Sequence, residues 1–244
     1  MPIFQLDDEK LIFPPAEWAE DRYDGLLAVG GDLSVPRLVE AYANGIFPWP
    51  CFEDRLDWYS PDPRFVLFPE KMHIPKSLKR VMKKEPFRLT VDQCFPEVIH
   101  HCGSIERPGQ EGSWITREIE AGYCALHQAG YAHSLEAWDG NRLVGGFYGV
   151  SIGRCFCGES MFSLVPDASK VTFATFAPRI FEAGYQMIDC QVYTDHLARF
   201  GAEEIPRAEY LLRLRLALKD RKKVGDLWAR VLEEDVGWGG GGVG

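Results

Sequence analysis

The spacing of apolar residues in the first part of the chain predicts one short strand followed by one helix. Residues 25–30, GLLAVG, form an apolar run that is typical of a buried strand. After a glycine turn, Ser34 and Pro36 mark the start of a helix that runs to about residue 43. Asn44-Gly45 then supplies the helix stop. This order predicts a small N-terminal α/β domain.

A stretch crowded with Pro and Trp follows that helix, from GIFPWP to WYSPDPR. Because proline removes a backbone donor and fixes φ, we expect this stretch to lack regular structure. It then presents Trp49 and Trp58 on loops. We place a domain boundary near residue 62, which gives an N-terminal domain of residues 1–62.

From residue 63 onward, strand-like and helix-like segments alternate. Strands are predicted at residues 65–69, 87–91, 132–138, 142–150, 154–160 and 186–193. Helices are predicted at residues 75–84, 93–102, 117–129, 168–183 and 207–233. Asp139-Gly140 is a strong hairpin signal between two of these strands. The fold class is therefore α+β, and this order resembles a GNAT-like acyltransferase domain with a mixed, largely antiparallel sheet, by fold analogy alone.

That second domain is expected to span residues 63–233, and the glycine-rich end, residues 234–244, is expected to be a disordered tail. The N-terminus lacks the order of a secretory signal, and no apolar run approaches the ~20 residues that span a bilayer. Seven cysteines, an odd count without zinc-like spacing, favour a reduced, cytoplasmic protein. We expect no metal and no cofactor.

The net charge of −9 argues against a protein that coats nucleic acid, yet cations are concentrated in one segment, HIPKSLKRVMKK. Helical spacing puts five of them on one face. They are Lys76, Lys79, Arg80, Lys83 and Lys84. A solvated helix surface is the usual meaning of such a run. Since no acidic residue lies within the segment, a phosphate-binding surface is favoured here.

Two further segments carry polar residues in apolar surroundings. Glu159 is the only acid in FCGESMFS and its neighbours, so its carboxylate needs a cationic partner or a shifted pKa. A solvent-exposed Glu at a strand end is an equal alternative. On the later strand, Asp189 and Gln191 share one face by alternation and are expected to point into a cleft or into solvent. Together with Glu159 they form a candidate site.

The sequence has no GxSxG elbow, no HExxH motif and no P-loop. His127 and His133 lie in apolar segments and are interpreted as core or cap residues. Since nothing here generates a strong nucleophile or binds ATP, an enzyme of this kind would hold a donor that is already activated against its acceptor.

Ten segments distributed from about residue 20 to 212 together resemble the leucyl/phenylalanyl-tRNA–protein transferase family. They are GLLAVGGDLS, GIFPW, WYSPDPR, WITR, AHSLE-W, LVGG-YG, GESMFS, ASK, IDCQV and IPR. GESMFS and WYSPDPR are the distinctive ones. The resemblance implies an enzyme, a monomer without a metal, that transfers Leu or Phe from aminoacyl-tRNA to proteins with N-terminal Arg or Lys and so marks them for N-degron proteolysis.

The resemblance also implies roles for individual residues. Trp49 and Trp114 would flank the terminal adenosine of the tRNA, on which indole stacks for about 1–3 kcal/mol per base. The donor pocket would be formed by Phe147, Phe156, Gly158, Ser160, Met161 and Ile188. The polar centre would be formed by Glu159, Asp189 and Gln191, and the basic helix would contact tRNA.

Two mechanisms remain open for the polar centre. Asp189 either polarises Gln191, whose carbonyl accepts the amine proton, or pairs with the cationic side chain of the acceptor. Glu159 would anchor a substrate amine.

The sequence departs from the family at Arg199-Phe200-Gly201, where Ser-Leu-Gly is frequent, and at Phe147, where smaller residues are common. The second departure narrows the expected donor pocket.

Two other functions compete with aminoacyl transfer. An acetyl-CoA-dependent enzyme of the GNAT type needs a glycine-containing pyrophosphate turn, and residues 164–170, LVPDASK, contain no glycine. A non-catalytic RNA-binding module explains the basic helix but not the set of Glu159, Asp189 and Gln191.

Overall fold

A computed structural model describes residues 3–49, 55–105, 114–219 and 228–231. The strands are β1 (Phe4–Gln5), β2 (Leu26–Val29), β3 (Phe47–Pro48), β4 (Asp57–Tyr59), β5 (Arg64–Leu67), β6 (Arg88–Val91), β7 (Ala132–Asp139), β8 (Arg142–Ile152), β9 (Cys155–Ser163), β10 (Met187–Gln191) and β11 (Glu203–Ile205). The α-helices are α1 (Val35–Ala43), α2 (Lys76–Met82), α3 (Phe95–Ser104), α4 (Arg117–Gln128), α5 (Ala168–Glu182), α6 (Asp195–Ala198) and α7 (Arg207–Ala217). Short 3₁₀ turns lie at Ala16–Trp18, Asp21–Tyr23 and Pro69–Lys71.

The strands form two sheets. A four-stranded sheet has the order β1-β2-β4-β3, and a seven-stranded sheet has the order β11-β5-β10-β9-β8-β7-β6. In the large sheet only β9 and β10 run parallel, and the other neighbours are antiparallel. The predicted mixed, largely antiparallel sheet is therefore confirmed. The predicted tail, residues 234–244, lies outside the described residues. The last predicted helix, residues 207–233, is not continuous: α7 ends at Ala217, residues 218–219 form a turn, and residues 228–231 are helical again. Residues 220–227 and 232–233 of this prediction lie outside the described residues.

The prediction that the Pro- and Trp-rich stretch is irregular was wrong in part. β3 pairs with β4, and Pro48 lies opposite Trp58. This is possible because β3 is the edge strand of the small sheet, where a proline removes no hydrogen bond from a second neighbour. Trp58 is not on a loop: it is fully buried, and its indole N–H donates to the Gly30 carbonyl at 2.8 Å.

Helices cover both faces of the large sheet. α3 and α4 pack on one face, where the core also includes the small sheet and α1. α5 packs on the other face, and α2 packs on α5. Successive residues of β8 therefore enter different cores, with Phe147 facing α5 and Tyr148 facing α3 and α4. Among the described residues, no helix combines the length and the apolar character that crossing a membrane requires.

Candidate active site

The site lies where the two central parallel strands separate. β9 and β10 pair only from Cys155 to Cys157 and from Met187 to Asp189. Beyond this segment each strand contains a bulge, because Glu159 has no partner on β8 and Cys190 has none on β5. Bulges bend a strand and redirect its side chains. The end of each strand therefore lines a gap in the sheet.

The gap opens into a cavity of about 450 Å³. Ten of the residues predicted for the site line it: Trp49, Trp114, Phe147, Phe156, Gly158, Glu159, Ser160, Met161, Ile188 and Gln191. They come from three strands, β8, β9 and β10, and from two connecting segments, which supply Trp49 and Trp114. Aromatic and aliphatic side chains form most of the wall, with a few polar groups at one place, which is the usual composition of a small-molecule site.

Glu159 and Gln191 are in direct contact across the gap. The Gln191 side-chain amide donates to Glu159 Oε1 at 2.7 Å, and the Tyr123 hydroxyl donates to Oε2 at 3.0 Å. Tyr123 in turn shares a short hydrogen bond with the Tyr42 hydroxyl. Burial raises the pKa of the Glu159 carboxyl to about 7, although both tyrosine hydroxyls oppose this rise. Glu159 is therefore a group that titrates near neutral pH.

Asp189 points away from the cavity, contrary to the prediction that it shares a face with Gln191. The bulge at Cys190 and the left-handed backbone of Gln191, with φ of 63°, break the alternation between the two residues. Alternation holds only in a regular strand. The sequence gives no indication of a bulge at this position.

The Asp189 carboxylate is fully occupied by protein donors. Arg64 binds it with two hydrogen bonds of 2.8 and 2.7 Å, and the Tyr210 hydroxyl donates at 2.7 Å. The Gln191 backbone N–H donates to the same group at 2.9 Å. Asp189 and Arg64 are both buried, and the neighbouring carboxylate helps to raise the pKa of Arg64, opposing the effect of burial. Asp189 is thus the anchor of the Gln191 backbone, and pairing with a cationic acceptor side chain is not available to it.

The basic face of α2 is present as predicted. Lys76, Lys79, Arg80, Lys83 and Lys84 are all exposed, although α2 itself ends at Met82. Leu78, on the opposite face, is buried. Within the described ranges none of the five cations takes part in an ion pair. α2 packs on α5, and α5 supplies Ser169, Lys170 and Phe173 to the cavity wall.

Several residues at the site were not predicted. Tyr123 reaches Glu159 from α4, and Arg64 holds Asp189 from β5. Arg64 could have been noted, since it ends the distinctive WYSPDPR segment, but no local signal marks Tyr123. His196 lines the cavity with a buried Nε2 that lacks a hydrogen-bond partner, and burial, together with Lys170 and Arg199, lowers its pKa to about 4. His196 is therefore a neutral wall residue at physiological pH.

His127 and His133 lie outside the cavity, in a polar cluster with Asp92. The His133 Nδ1 is 2.8 Å from Asp92 Oδ2, and the His127 Nδ1 is 2.8 Å from the Ala132 carbonyl. Both rings also stack on aromatic neighbours, His127 on Phe95 and His133 on Trp228. His133 is buried and His127 lies partly exposed in the last turn of α4, which agrees with the interpretation of the two as core or cap residues.

Comparison with known proteins gives a consistent picture. The sequence matches the profiles of "Leucyl/phenylalanyl-tRNA protein transferase" over residues 66–215 and of its N-terminal domain over residues 31–62. It is 53% identical to the leucyl/phenylalanyl-tRNA–protein transferase of Anaeromyxobacter dehalogenans strain 2CP-C, over 90% of this chain and 93% of the relative. It is 52% identical to the protein of the same name from Myxococcus xanthus, over 92% of this chain and 96% of the relative. A solved protein of unknown function from Bacteroides thetaiotaomicron has a TM-score of only 0.38, with 16% identity over 64% of this chain and 55% of that one.

Proposed function

Because the chain belongs to the leucyl/phenylalanyl-tRNA–protein transferase family, we propose that it transfers Leu or Phe from aminoacyl-tRNA to the N-terminal Arg or Lys of acceptor proteins, and so marks them for N-degron proteolysis. One observation carries this proposal at the level of the site. The Glu159–Gln191 pair lies inside an aromatic cavity, next to a gap in the central sheet.

The donor ester is already activated, so the protein needs to orient two substrates and move one proton. The α-amine of the acceptor attacks the ester carbonyl, a C–N bond forms, and the ester C–O bond breaks to release the ribose hydroxyl of the tRNA. The side-chain NH₂ group of Gln191 donates a hydrogen bond to Glu159. The side-chain carbonyl oxygen of Gln191 is then available to accept a hydrogen bond from the attacking amine.

In this scheme Glu159 accepts the proton that the attacking amine loses and returns a proton to the departing ribose oxygen. A free α-amino group has a pKa of about 8, and the pKa of Glu159 is about 7. A base and an acid with such similar proton affinities exchange a proton at little cost in free energy. Asp189 positions Gln191 through the backbone hydrogen bond, and Arg64 holds Asp189 in place.

The remaining residues of the cavity wall are assigned to two parts of the aminoacyl-tRNA donor, the terminal adenosine and the aminoacyl side chain. Trp49 and Trp114 would stack on the terminal adenosine, while Phe147, Phe156, Met161 and Ile188 would receive the donor side chain. The flexible Met161 side chain lets this wall adapt to side chains that are unbranched at Cβ, as those of Leu and Phe are. The five exposed cations on and after α2 would bind phosphates of the tRNA acceptor stem region.

The architecture fits a GNAT-like domain. Two parallel central strands that separate at adjacent bulges, with helices on both faces of a mixed sheet, support this assignment. The separate small sheet supports a division into domains of residues 1–62 and 63–233. We further propose that the enzyme acts as a cytoplasmic monomer.

The test is a transfer assay with charged tRNA. The protein is incubated with leucyl-tRNA and a peptide that begins with Arg, and the peptide mass is measured; a peptide that begins with an acidic residue is the control. A mass gain of one leucine residue on the Arg peptide supports the proposal. Retention of the charged tRNA without transfer to any peptide indicates a nucleic-acid-binding module instead.

A further inference from the structure

Trp228 is a buried aromatic residue next to the cavity wall, and the proposed mechanism gives it no part. Its ring is parallel to that of Phe156, with the ring centroids 5.6 Å apart and an interplanar angle of 9°. The Tyr185 ring meets the indole edge-on at 6.5 Å. Only 5% of the Trp228 surface is exposed. Since Phe156 belongs to the cavity wall, Trp228 packs on a residue that the donor side chain would contact.

The position of the Phe156 ring depends on this packing. On one side the ring lies on the backbone of Gly149, where an added Cβ atom would be 2.6 Å from two of its ring atoms. Phe147 meets it nearly at a right angle, with the centroids 6.3 Å apart. Trp228 stacks on the ring in addition to these contacts. A well-packed ring of this kind keeps its place only while each of its neighbours fills its own volume.

Trp228 is itself held in one orientation by a polar anchor. Its indole N–H donates to Asp92 Oδ2 at 2.9 Å, and its ring stacks on His133 at 4.0 Å. His133 Nδ1 lies 2.8 Å from the same carboxylate oxygen, and the Ser134 N–H donates to the other oxygen at 2.8 Å. Asp92, His127 and His133 have the composition of a metal site. Both Asp92 oxygens and the Nδ1 atoms of the two histidines already have hydrogen-bond partners, while His133 Nε2 is buried without one, so the carboxylate acts as a hydrogen-bonded anchor for the indole.

We propose that Trp228 is a positioning residue that sets the size of the donor side-chain pocket, and through it the preference between leucyl- and phenylalanyl-tRNA. This inference rests on the proposed function. With the indole in place, the Phe156 ring cannot move outward. A smaller side chain at position 228 frees that space, Phe156 relaxes into it, and the pocket becomes able to hold the larger donor side chain.

The experiment compares Trp228→Leu, Trp228→Phe and the wild type, with kcat and KM measured separately for leucyl- and phenylalanyl-tRNA. A change of one methylene in a pocket alters discrimination by roughly 10–200-fold, and an indirect effect through Phe156 is smaller. We expect Trp228→Leu to raise the Phe-over-Leu ratio of kcat/KM about five-fold, mainly through KM. Trp228→Phe retains a ring that stacks on Phe156, so its Phe-over-Leu ratio of kcat/KM should stay within about two-fold of the wild-type ratio. Trp18→Leu, at an exposed tryptophan that does not line the cavity, is the matched control.

A folded Trp228→Leu enzyme whose ratio stays within two-fold of the wild type overturns the proposal. If Trp228→Leu does not fold, Asp92→Ala removes the acceptor of the indole N–H and is expected to shift the ratio in the same direction. An unchanged ratio in that variant also overturns the proposal. The affinities of wild type and variants for hydrolysis-resistant 3′-amide analogues of leucyl- and phenylalanyl-adenosine are measured as well. This binding measurement tests the role of Trp228 independently of the transfer reaction. A wild type that transfers neither amino acid refutes the transferase proposal, while the relative affinities of the analogues still test Trp228.

Discussion

The side chains of Gln191 and Glu159 are joined by a hydrogen bond of 2.7 Å across the gap between β10 and β9. Each residue is in this place because its strand contains a bulge. The pair is the only contact that joins a side-chain amide to a carboxylate inside the cavity within the described residues. Its behaviour provides the most direct tests of the proposed chemistry.

Glu159→Gln keeps the shape of the side chain but removes the proton acceptor. We expect kcat to fall about 100-fold, within the range that general acid–base groups contribute. Wild-type kcat/KM should rise with pH through about 7, because Glu159 must lose its proton to act as a base. Single-turnover transfer measured from pH 5.5 to 8.5 checks both points. A variant profile that still rises with a midpoint near 7 contradicts the role of Glu159.

Tyr123→Phe removes the hydroxyl that donates to Glu159 Oε2. That hydrogen bond stabilises the charged carboxylate and lowers its pKa, so its loss moves the activity midpoint to higher pH. The same pH series measures the shift. Tyr193→Phe, at an exposed tyrosine, is the control and should leave the midpoint unchanged. A midpoint that stays in place, or moves to lower pH, in Tyr123→Phe counts against the assignment.

Gln191→Ala should lower the rate of peptide-bond formation by at least about ten-fold, since it removes both a partner of Glu159 and the acceptor for the attacking amine. The measurement is single-turnover transfer at saturating acceptor peptide. Gln191→Asn, which keeps the amide on a shorter stem, should recover only part of the rate because the reach to Glu159 is lost. Transfer by Gln191→Ala within a few-fold of the wild type means that the residue has no catalytic part.

Asp189→Asn should destabilise the fold strongly. The substitution leaves Arg64 as a buried charge without its counter-ion, which costs about 3–5 kcal/mol in comparable pairs. Urea unfolding measures the loss. Combining Asp189→Asn with Arg64→Met removes both charges and should restore a large part of the stability. Activity should not recover, because the side chain that accepts the Gln191 backbone N–H is no longer a carboxylate held by Arg64. Equal stability of the wild type and Asp189→Asn is incompatible with this account of the pair.

The basic face of α2 is tested by replacing Lys79, Arg80 and Lys83 with alanine. Each cation that contacts a phosphate contributes about one unit to the slope of log affinity against log salt concentration. We therefore expect weaker tRNA binding and a slope reduced by about two to three units, measured by filter binding from 50 to 300 mM salt. Replacement of two exposed cations elsewhere, Lys10 and Arg142, is the control. An unchanged slope in the triple variant would show that these three cations face solvent and do not contact tRNA phosphates.

The sequence by itself determined most of the longer strands and helices and much of the composition of the site, but not the short strands β1, β3, β4 and β11 or the short helix α6. Local patterns were sufficient for α1, for α4 and for the hairpin of β7 and β8, because helix starts and stops and hairpin turns depend on residues close in the chain. The order and spacing of whole segments, and above all of GESMFS and WYSPDPR, indicated the family and thereby the residues that line the cavity. The basic face of α2 was also readable, since helical spacing alone puts its cations together.

Tertiary structure decided how these residues are oriented. The left-handed backbone at Gln191 and the bulge before it separate Asp189 from the cavity, and a bulge has no reliable local signature. The partners of the site come from distant segments: Tyr123 from α4, Arg64 from β5 and Trp228 from near the C-terminus. Which side chain pairs with a buried charge depends on the packing of the whole sheet, and residue patterns along the chain carry no information about it.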